Sequence, residues 1–446
     1  MNREKVSVDI HTIQRVHFIG IGGIGMSGLA RYFLHERKEV SGSDGTPSPI
    51  TEALARDGVT FFSSQTAENI TDDIDLIVYT EAMSEDAKEM IAARALGVPM
   101  MNYFEALGLV ANPYYLIAVT GTHGKTTTTA MAIDIFESAG LDPTAIVGSL
   151  RAKTKSNFRP GKSKYCIVEA CEYRRDFLHL APDVLVITNI EAEHLDYYRD
   201  LADIQDAFGE LARKVPADGY IVCDPSDAHI APVLKGVTAT VIDYPKFFDP
   251  RMTLHVPGMH NLMNAAAALG VAKAMRIDEQ AAKLALEDFA GTWRRSEYLG
   301  ETDEGALVFD DYAHHPTEVR VTLSAFKEKY PQKRLIVAFQ PHLHSRTKDL
   351  FEGFVETLSI ADEVVLAPIH EARTEIDHSV SSEMLAEAIG DKARAVPSYA
   401  DITKYLKGHT DSDDLIITMG AGAINKVAEA LVSSATASDT DKVSST

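Results

Sequence analysis

Apolar and polar positions along the chain repeatedly alternate between two patterns. Short, nearly continuous apolar runs lie at residues 16–19, 75–80, 115–119, 165–169, 184–188, 306–309, 335–339, 363–367 and 415–418. Runs of this length and β-branched content predict strands buried on both faces, as in a parallel sheet. Between them lie stretches with helical spacing, clearest at 25–36, 126–139 and 260–275. A further short strand is predicted at 39–41, leading to Ser43 and Asp44. Strands alternating with helices predict an α/β fold built on mostly parallel sheets.

The pattern falls into three blocks, each opening on a strand and a functional turn. The length of 446 residues fits three domains. The expected boundaries are 1–107, 108–294 and 295–432, with 433–446, rich in Ser, Thr, Ala and Asp, as a disordered tail. No repeat of 20–50 residues is visible.

Two glycine turns carry the chemistry. Gly20-Ile-Gly-Gly-Ile-Gly25 fits G-x-G-x-x-G between a strand and a helix. Such a turn lets a diphosphate approach backbone N–H groups at a helix N-terminus. Asp44 stands where a ribose-reading acid would lie. The turn by itself does not tell NAD from a UDP-sugar. The second, Gly121-Thr-His-Gly-Lys-Thr126, is a shortened P-loop: Val119 stands where the first glycine of the full pattern would be. Its backbone cradles phosphates, Lys125 neutralises them, and Thr126 offers a hydroxyl to Mg²⁺. Glu169 ends a predicted strand and is followed by Glu172, and His194 follows another strand, so Glu169 and His194 can reach phosphates held at Lys125. Glu193 and Asp196 read as solvated acids.

Composition narrows the setting. Charged residues make up 24% of the chain and apolar residues 45%, an ordinary globular balance. The formal net charge of −22, with no basic block, argues against nucleic acid and membrane surfaces as partners. Three cysteines without a CxxC pair argue against a disulfide framework. A polar N-terminus and the lack of a long apolar segment make the cytoplasm the expected location. Trp293 reads as interdomain packing. His342, His344 and Arg346 form a local basic cluster, whereas the polar run holding His370, Glu375 and His378 carries no assigned role.

Seven ordered segments, residues 17–28, 121–129, 188–196, 258–264, 289–295, 310–318 and 339–342, resemble those of the Mur ligase family, and the likeness spans about 16–430. They include Thr188-Asn-Ile-Glu-Ala-Glu-His-Leu-Asp196 and Asp310-Asp-Tyr-Ala-His-His-Pro-Thr-Glu318. The resemblance implies a Rossmann-like N-terminal domain, a central P-loop-type domain and a Rossmann-like C-terminal domain. It points to members that join L-alanine to UDP-N-acetylmuramate through an acyl phosphate, as monomer or homodimer. ATP and two Mg²⁺ ions, replaceable by Mn²⁺, are implied.

The resemblance also assigns residues. The diphosphate of the UDP-sugar would lie on Gly20, Gly22, Gly23, Ile24 and Gly25, with Ser43, Asp44 and Thr80 beside it. ATP would lie on Gly121, Thr122, His123, Gly124, Lys125, Thr126 and Thr127, its adenine read by Asn261 and Asn264. Arg295, Asp311 and Tyr312 would reach it from the third domain. Thr126 and Glu169 would hold one Mg²⁺ and His194 the second, while His342 and Arg346 would lie near the amino acid. The chain departs from the family pattern at Cys171-Glu-Tyr-Arg174, where acids are usual, at 78–83, at Asn102-Tyr103, where basic residues are common, and at Leu343, a frequent arginine. Competing readings are a ligase that recycles a preformed murein peptide onto the same sugar, a nucleotide-binding regulator without catalysis, and a dehydrogenase using the first turn for NAD.

Overall fold

The runs of Val, Ile and Leu do form central strands. The computed structural model describes residues 9–195, 197–371, 377 and 379–432. The tail at 433–446, Asp196, Glu375 and His378 lie outside the described residues.

The first sheet holds β1 (Arg15–Ile19), β2 (Glu39–Ser43), β3 (Thr60–Phe62), β4 (Leu76–Tyr79) and β5 (Met100–Asn102), in the order β3-β2-β1-β4-β5. Every pair is parallel. The chain order reverses between β1 and β4, so the turn after β1 and Thr80 after β4 face one crevice, the usual ligand position in such sheets.

The second sheet holds β6 (Tyr115–Thr120), β7 (Thr144–Arg151), β8 (Ser156–Arg159), β9 (Tyr165–Glu169), β10 (Val184–Ile187), β11 (Tyr220–Cys223) and β12 (Thr240–Asp243). Its order is β12-β11-β10-β6-β9-β7-β8. β6 is thus flanked by β9 and β10, and the carboxyl ends of all three converge. Only the β7–β8 hairpin is antiparallel. The helix Lys125–Ser138 is buried from Thr126 to Phe136. A helix covered all round has no amphipathic stripe, and its four threonines are tolerated because hydroxyls can bond back to the preceding turn, as Thr129 does to the Lys125 carbonyl at 2.8 Å.

The third sheet holds β13 (Glu297–Glu301), β14 (Leu307–Asp311), β15 (Arg334–Phe339), β16 (Glu363–Leu366), β17 (Ala393–Ala395) and β18 (Asp414–Met419). Its order is β13-β14-β18-β15-β16-β17, antiparallel only at β13. Buried side chains such as Val337, Phe339, Leu366 and Ile417 fill one face, and Ile336, Ala338, Val365 and Ile416 the other.

The chain divides into two compact units. One covers the described residues up to Met252 together with Met263–Phe289; the other covers Thr253–Leu262 and the described residues from Ala290 onward. The first two sheets therefore share a unit. Their join is the helix Ile24–His35 against the β7–β8 hairpin. Buried Asn157 donates its amide to the Ile24 carbonyl and to Ser27 Oγ at 2.9 Å, and accepts from Arg31 Nη1 at 2.6 Å. Tyr32 packs edge-on against Phe158.

Replacing Asn157 by alanine removes a hydrogen-bond partner from the Ile24 carbonyl, from Ser27 Oγ and from Arg31 Nη1 beside the first glycine turn. The expected loss is about 2–4 kcal/mol. It should appear as a lowered melting temperature, and the UDP-sugar should raise that temperature less than in the parent protein.

Candidate functional site

In the first turn, the Ser43 carbonyl accepts from Gly20 N at 2.8 Å and Ile21 N at 3.0 Å, which fixes the loop against β2. Asp44 receives Gly22 N at 3.0 Å on one carboxylate oxygen and Thr46 N at 3.0 Å on the other. Its carboxylate thus holds the glycine loop itself. The Ser43 hydroxyl donates to buried Glu89 at 2.6 Å, so only the backbone of Ser43 serves the turn. A methyl group on Gly20 would meet Thr80 Cγ2 at 2.4 Å, and one on Gly25 would meet the Tyr103 ring at 2.6 Å. Thr80 and Tyr103 therefore wall the turn on opposite ends. Gly23 is the N-cap of the helix Ile24–His35, whose first N–H groups have no intrahelical acceptor and point toward an anion.

The second turn is pinned from β10. Thr122 N donates to the Asn189 carbonyl at 3.0 Å, His123 N to Asn189 Oδ1 at 2.9 Å, and Thr188 Oγ1 to the His123 carbonyl at 2.6 Å. Thr122 Oγ1 accepts from Glu191 N at 2.8 Å. Thr126 and Thr127 are buried at the start of the helix. Asn264 lies against Gly124, where an added methyl group would meet its Oδ1 at 2.3 Å. Asn261, one helical turn earlier, donates to the Pro257 carbonyl at 2.7 Å.

Lys125 donates to the carbonyls of Gly121 (2.5 Å) and Thr122 (3.0 Å) and to Glu172 Oε1 (3.0 Å). Burial opposes its charge, but Glu172, with Cys171, Glu193 and Glu169 behind it, outweighs burial and raises its pKa above the ordinary value. Burial likewise opposes the Glu172 charge, yet Lys125 and then His194 hold that carboxyl below its ordinary value. The pair is therefore ionised on both sides.

His194 Nε2 lies 3.6 Å from Glu172 Oε1. Among the described residues, Glu172, Glu193 and His194 bring three ligand atoms within 4.8 Å of one another. Glu172 Oε2 is buried with no hydrogen-bond partner. Two carboxylates and an imidazole, one oxygen unsatisfied, fit a divalent cation. Glu193, expected to be a solvated acid, thus joins this group, and Glu172 is central to it. Glu169 accepts from Gly148 N at 2.9 Å and stands outside the group.

Two consecutive residues after this strand, Arg174 (φ 53°) and Arg175 (φ 63°), adopt left-handed backbone. Asp176, just beyond, is buried, and its carboxyl is pushed up to about 7 by burial and by Glu81, against Arg174 and with Glu105 adding to the repulsion. The folded chain then binds this proton more tightly than the unfolded chain, whose value is near 3.8. Stability is present in full below that value and is lost as pH rises through about 7. Asp176→Asn should leave the melting temperature unchanged near pH 4 and raise it at pH 8, by about 2–4 °C. A rise of equal size at both pH values would assign the gain to packing.

In the second unit, the ends of β14, β15 and β18 converge. Arg294 is buried and donates to Asp310 Oδ2 (2.7 Å) and to the carbonyls of Gly422 (2.7 Å) and Gly420 (2.6 Å). Asp311 accepts from Ser296 N (2.7 Å) and Ala313 N (2.8 Å). Burial raises its pKa even so, against the pull of Arg295. The Arg295 guanidinium lies 5.2 Å from the centre of the Tyr312 ring. His342 stands 3.4 Å from Arg346, with the rings of His314 and His370 5.9 and 5.4 Å away. His370, given no role from sequence, is brought here by a bridge between its backbone and that of His342. Leu343 carries the positive φ of 66° that starts the helix His344–Asp349 and presents Arg346.

Three family models match the chain in order. They are the Mur ligase family catalytic domain over 15–115, the Mur ligase middle domain over 119–246, and the Mur ligase glutamate ligase domain over 294–422. A UDP-N-acetylmuramate–L-alanine ligase of Clostridium tetani is 42% identical, covering 94% of this chain and 97% of its own. One of Agathobacter rectalis is 40% identical over 95% and 99%. The crystal structure of the UDP-N-acetylmuramate–alanine ligase of Thermotoga maritima superposes with a TM-score of 0.81 at 26% identity, over 95% of this chain and 99% of the other. A murein peptide ligase of Psychrobacter arcticus shares the fold, with a TM-score of 0.70 at 24% identity, over 94% and 98%. With the three sheets, the two glycine turns and all three domain models in register, the chain belongs to the Mur ligase family.

Proposed function

We propose that this protein joins L-alanine to the carboxylate of UDP-N-acetylmuramate, driven by ATP, in the synthesis of peptidoglycan precursors. The observation that carries this is the Lys125 loop, set between the acids of β9 and the His194 segment of β10, in a chain so similar over its length to ligases of that name.

The muramyl carboxylate oxygen attacks the γ-phosphorus of ATP, and ADP leaves. The alanine amine then attacks the acyl carbon, loses a proton, and inorganic phosphate leaves. A carboxylate oxygen is a poor leaving group, and phosphorylation makes it a good one. The Lys125 side chain and the N–H groups at the start of the helix, Lys125 and Thr126, neutralise and orient the phosphates. Thr126, Glu169, Glu172, Glu193 and His194 would hold divalent cations, two Mg²⁺ in our reading. Such ions, when bound, supply positive charge to the transferring phosphoryl group. The Gly20–Gly25 turn holds the UDP diphosphate, Asn261 and Asn264 serve the adenine, and His342 and Arg346 serve the amino acid. We assign 1–107 to the sugar nucleotide, 108–294 to ATP and 295–432 to closure over the amino acid. No helix among the described residues is long and apolar enough to cross a membrane, which suits the cytoplasm, where ATP and UDP-sugars are found.

The test is ADP release with UDP-N-acetylmuramate, ATP and a panel of amino acids. L-Alanine should give the highest kcat/KM. Turnover with a preformed tripeptide alone would replace this reading with peptide recycling, and tight binding of both nucleotides without any turnover would indicate a regulator.

A further inference from the structure

A chain of contacts links the first glycine turn to the cation-binding group. Thr80 packs on Gly20, and the next residue, Glu81, accepts from Asn102 Nδ2 at 3.0 Å. Its other oxygen lies 3.4 Å from Arg174 Nη1. The Arg174 guanidinium stands 5.4 Å from the centre of the Tyr173 ring, which lies 4.8 Å from the ring of His194. Arg174 therefore sits on the route from the diphosphate turn to His194, and half of its side chain is open to solvent.

That route is hostile to an anion. Glu169, Glu172 and Glu193 ring its far end, and Lys125 is already paired with Glu172. A carboxylate travelling to the phosphates needs another cation. The Arg174 pairing with Glu81 is long and partly solvated, so its partner can be exchanged. Its backbone is held left-handed at φ 53°, an unfavourable conformation for arginine that aims the residue away from a continued helical path.

We propose that Arg174 binds the carboxylate of the sugar nucleotide, exchanging Glu81 for it, and so selects a UDP-sugar bearing a carboxylate over one without. This rests on the function proposed above. A guanidinium fits because it is permanently charged and presents paired N–H donors to a carboxylate.

The experiment is calorimetric titration of the full-length protein, without ATP or metal, with UDP-N-acetylmuramate and with UDP-N-acetylglucosamine, which lacks the carboxylate. The parent protein should prefer the former. Arg174→Gln should weaken UDP-N-acetylmuramate about tenfold or more and leave UDP-N-acetylglucosamine within about twofold. Arg174→Lys should fall between parent and glutamine variant. Glu81→Gln should keep or strengthen UDP-N-acetylmuramate binding. In turnover, Arg174→Gln should raise KM for the sugar with little change in KM for ATP. Equal weakening of both sugars, no weakening of either, or a loss of binding in Glu81→Gln would overturn the assignment. A parent protein that ligates alanine but does not distinguish the sugars would overturn it too, with the proposed function left standing. Failure of the parent to bind either sugar would sink the function reading itself.

Discussion

Lys125→Ala should lower turnover by more than about a thousandfold, because it removes a fixed cation from the site of phosphoryl transfer. The three N–H groups of Lys125 are all engaged at rest, on two loop carbonyls and Glu172. The ammonium is thus held in the loop before any nucleotide arrives, and phosphate oxygens would take over part of this coordination. UDP-sugar binding at the first turn should persist, since that turn draws on a different sheet. The variant also leaves Glu172 buried without its cation, and breaking such a pair costs about 3–5 kcal/mol. A fall in melting temperature is therefore expected as well. Lys125→Ala combined with Glu172→Gln removes the stranded charge, so it should recover much of the melting temperature and none of the turnover. Near-normal turnover in Lys125→Ala, or recovery of activity in the double variant, would show that Lys125 does not serve the phosphates.

Many of the strands were legible as apolar runs, but the largely buried β7 and β11 and the strands β8, β12 and β13 were not read. The strands at 165–169 and 335–339 are apolar on both faces because parallel sheets are covered on both sides, and both stand as β9 and β15. The short strands β3, β5 and β17 were not legible. They have three residues each, lie at sheet edges and are partly exposed, so no apolar run marks them. The two glycine turns could be read because their chemistry is local in sequence. The cation group could be read only in part. Glu193 looks like any loop acid until β9 and β10 bring it to Glu172 from opposite sides of β6. His370 is similar: its approach to His342 depends on pairing across 28 residues, which no local pattern encodes. Arg174 was visible as a departure from an acidic run, but its position depends on a left-handed backbone that nothing in an Arg-Arg pair announces.

The phosphate loop also makes a demand that is purely steric. Gly121 adopts φ +132°, and a methyl group there would lie 2.1 Å from Thr188 Oγ1 and 2.9 Å from the Asn189 carbonyl oxygen. Neither neighbour is free to yield. Thr188 Oγ1 donates to the His123 carbonyl at 2.6 Å, and the Asn189 carbonyl holds Thr122 N at 3.0 Å. Gly121→Ala must therefore push the loop off β10 and break the bonds that shape the cradle. Backbone strain and clash together should cost about 2–6 kcal/mol. Gly140 provides the control. It has a positive φ of +70° just after the helix Lys125–Ser138, with nothing within 4 Å of an added methyl group. Gly140→Ala should cost only about 1 kcal/mol from strain and leave turnover intact. The difference between the two variants isolates the contact with Thr188. Adding Thr188→Ala to Gly121→Ala opens space but removes the hydroxyl that holds His123, so stability should recover in part while turnover stays low. If Gly121→Ala behaves like Gly140→Ala in both melting temperature and turnover, the loop is not held against β10 as described, and the phosphate cradle must take its shape from elsewhere.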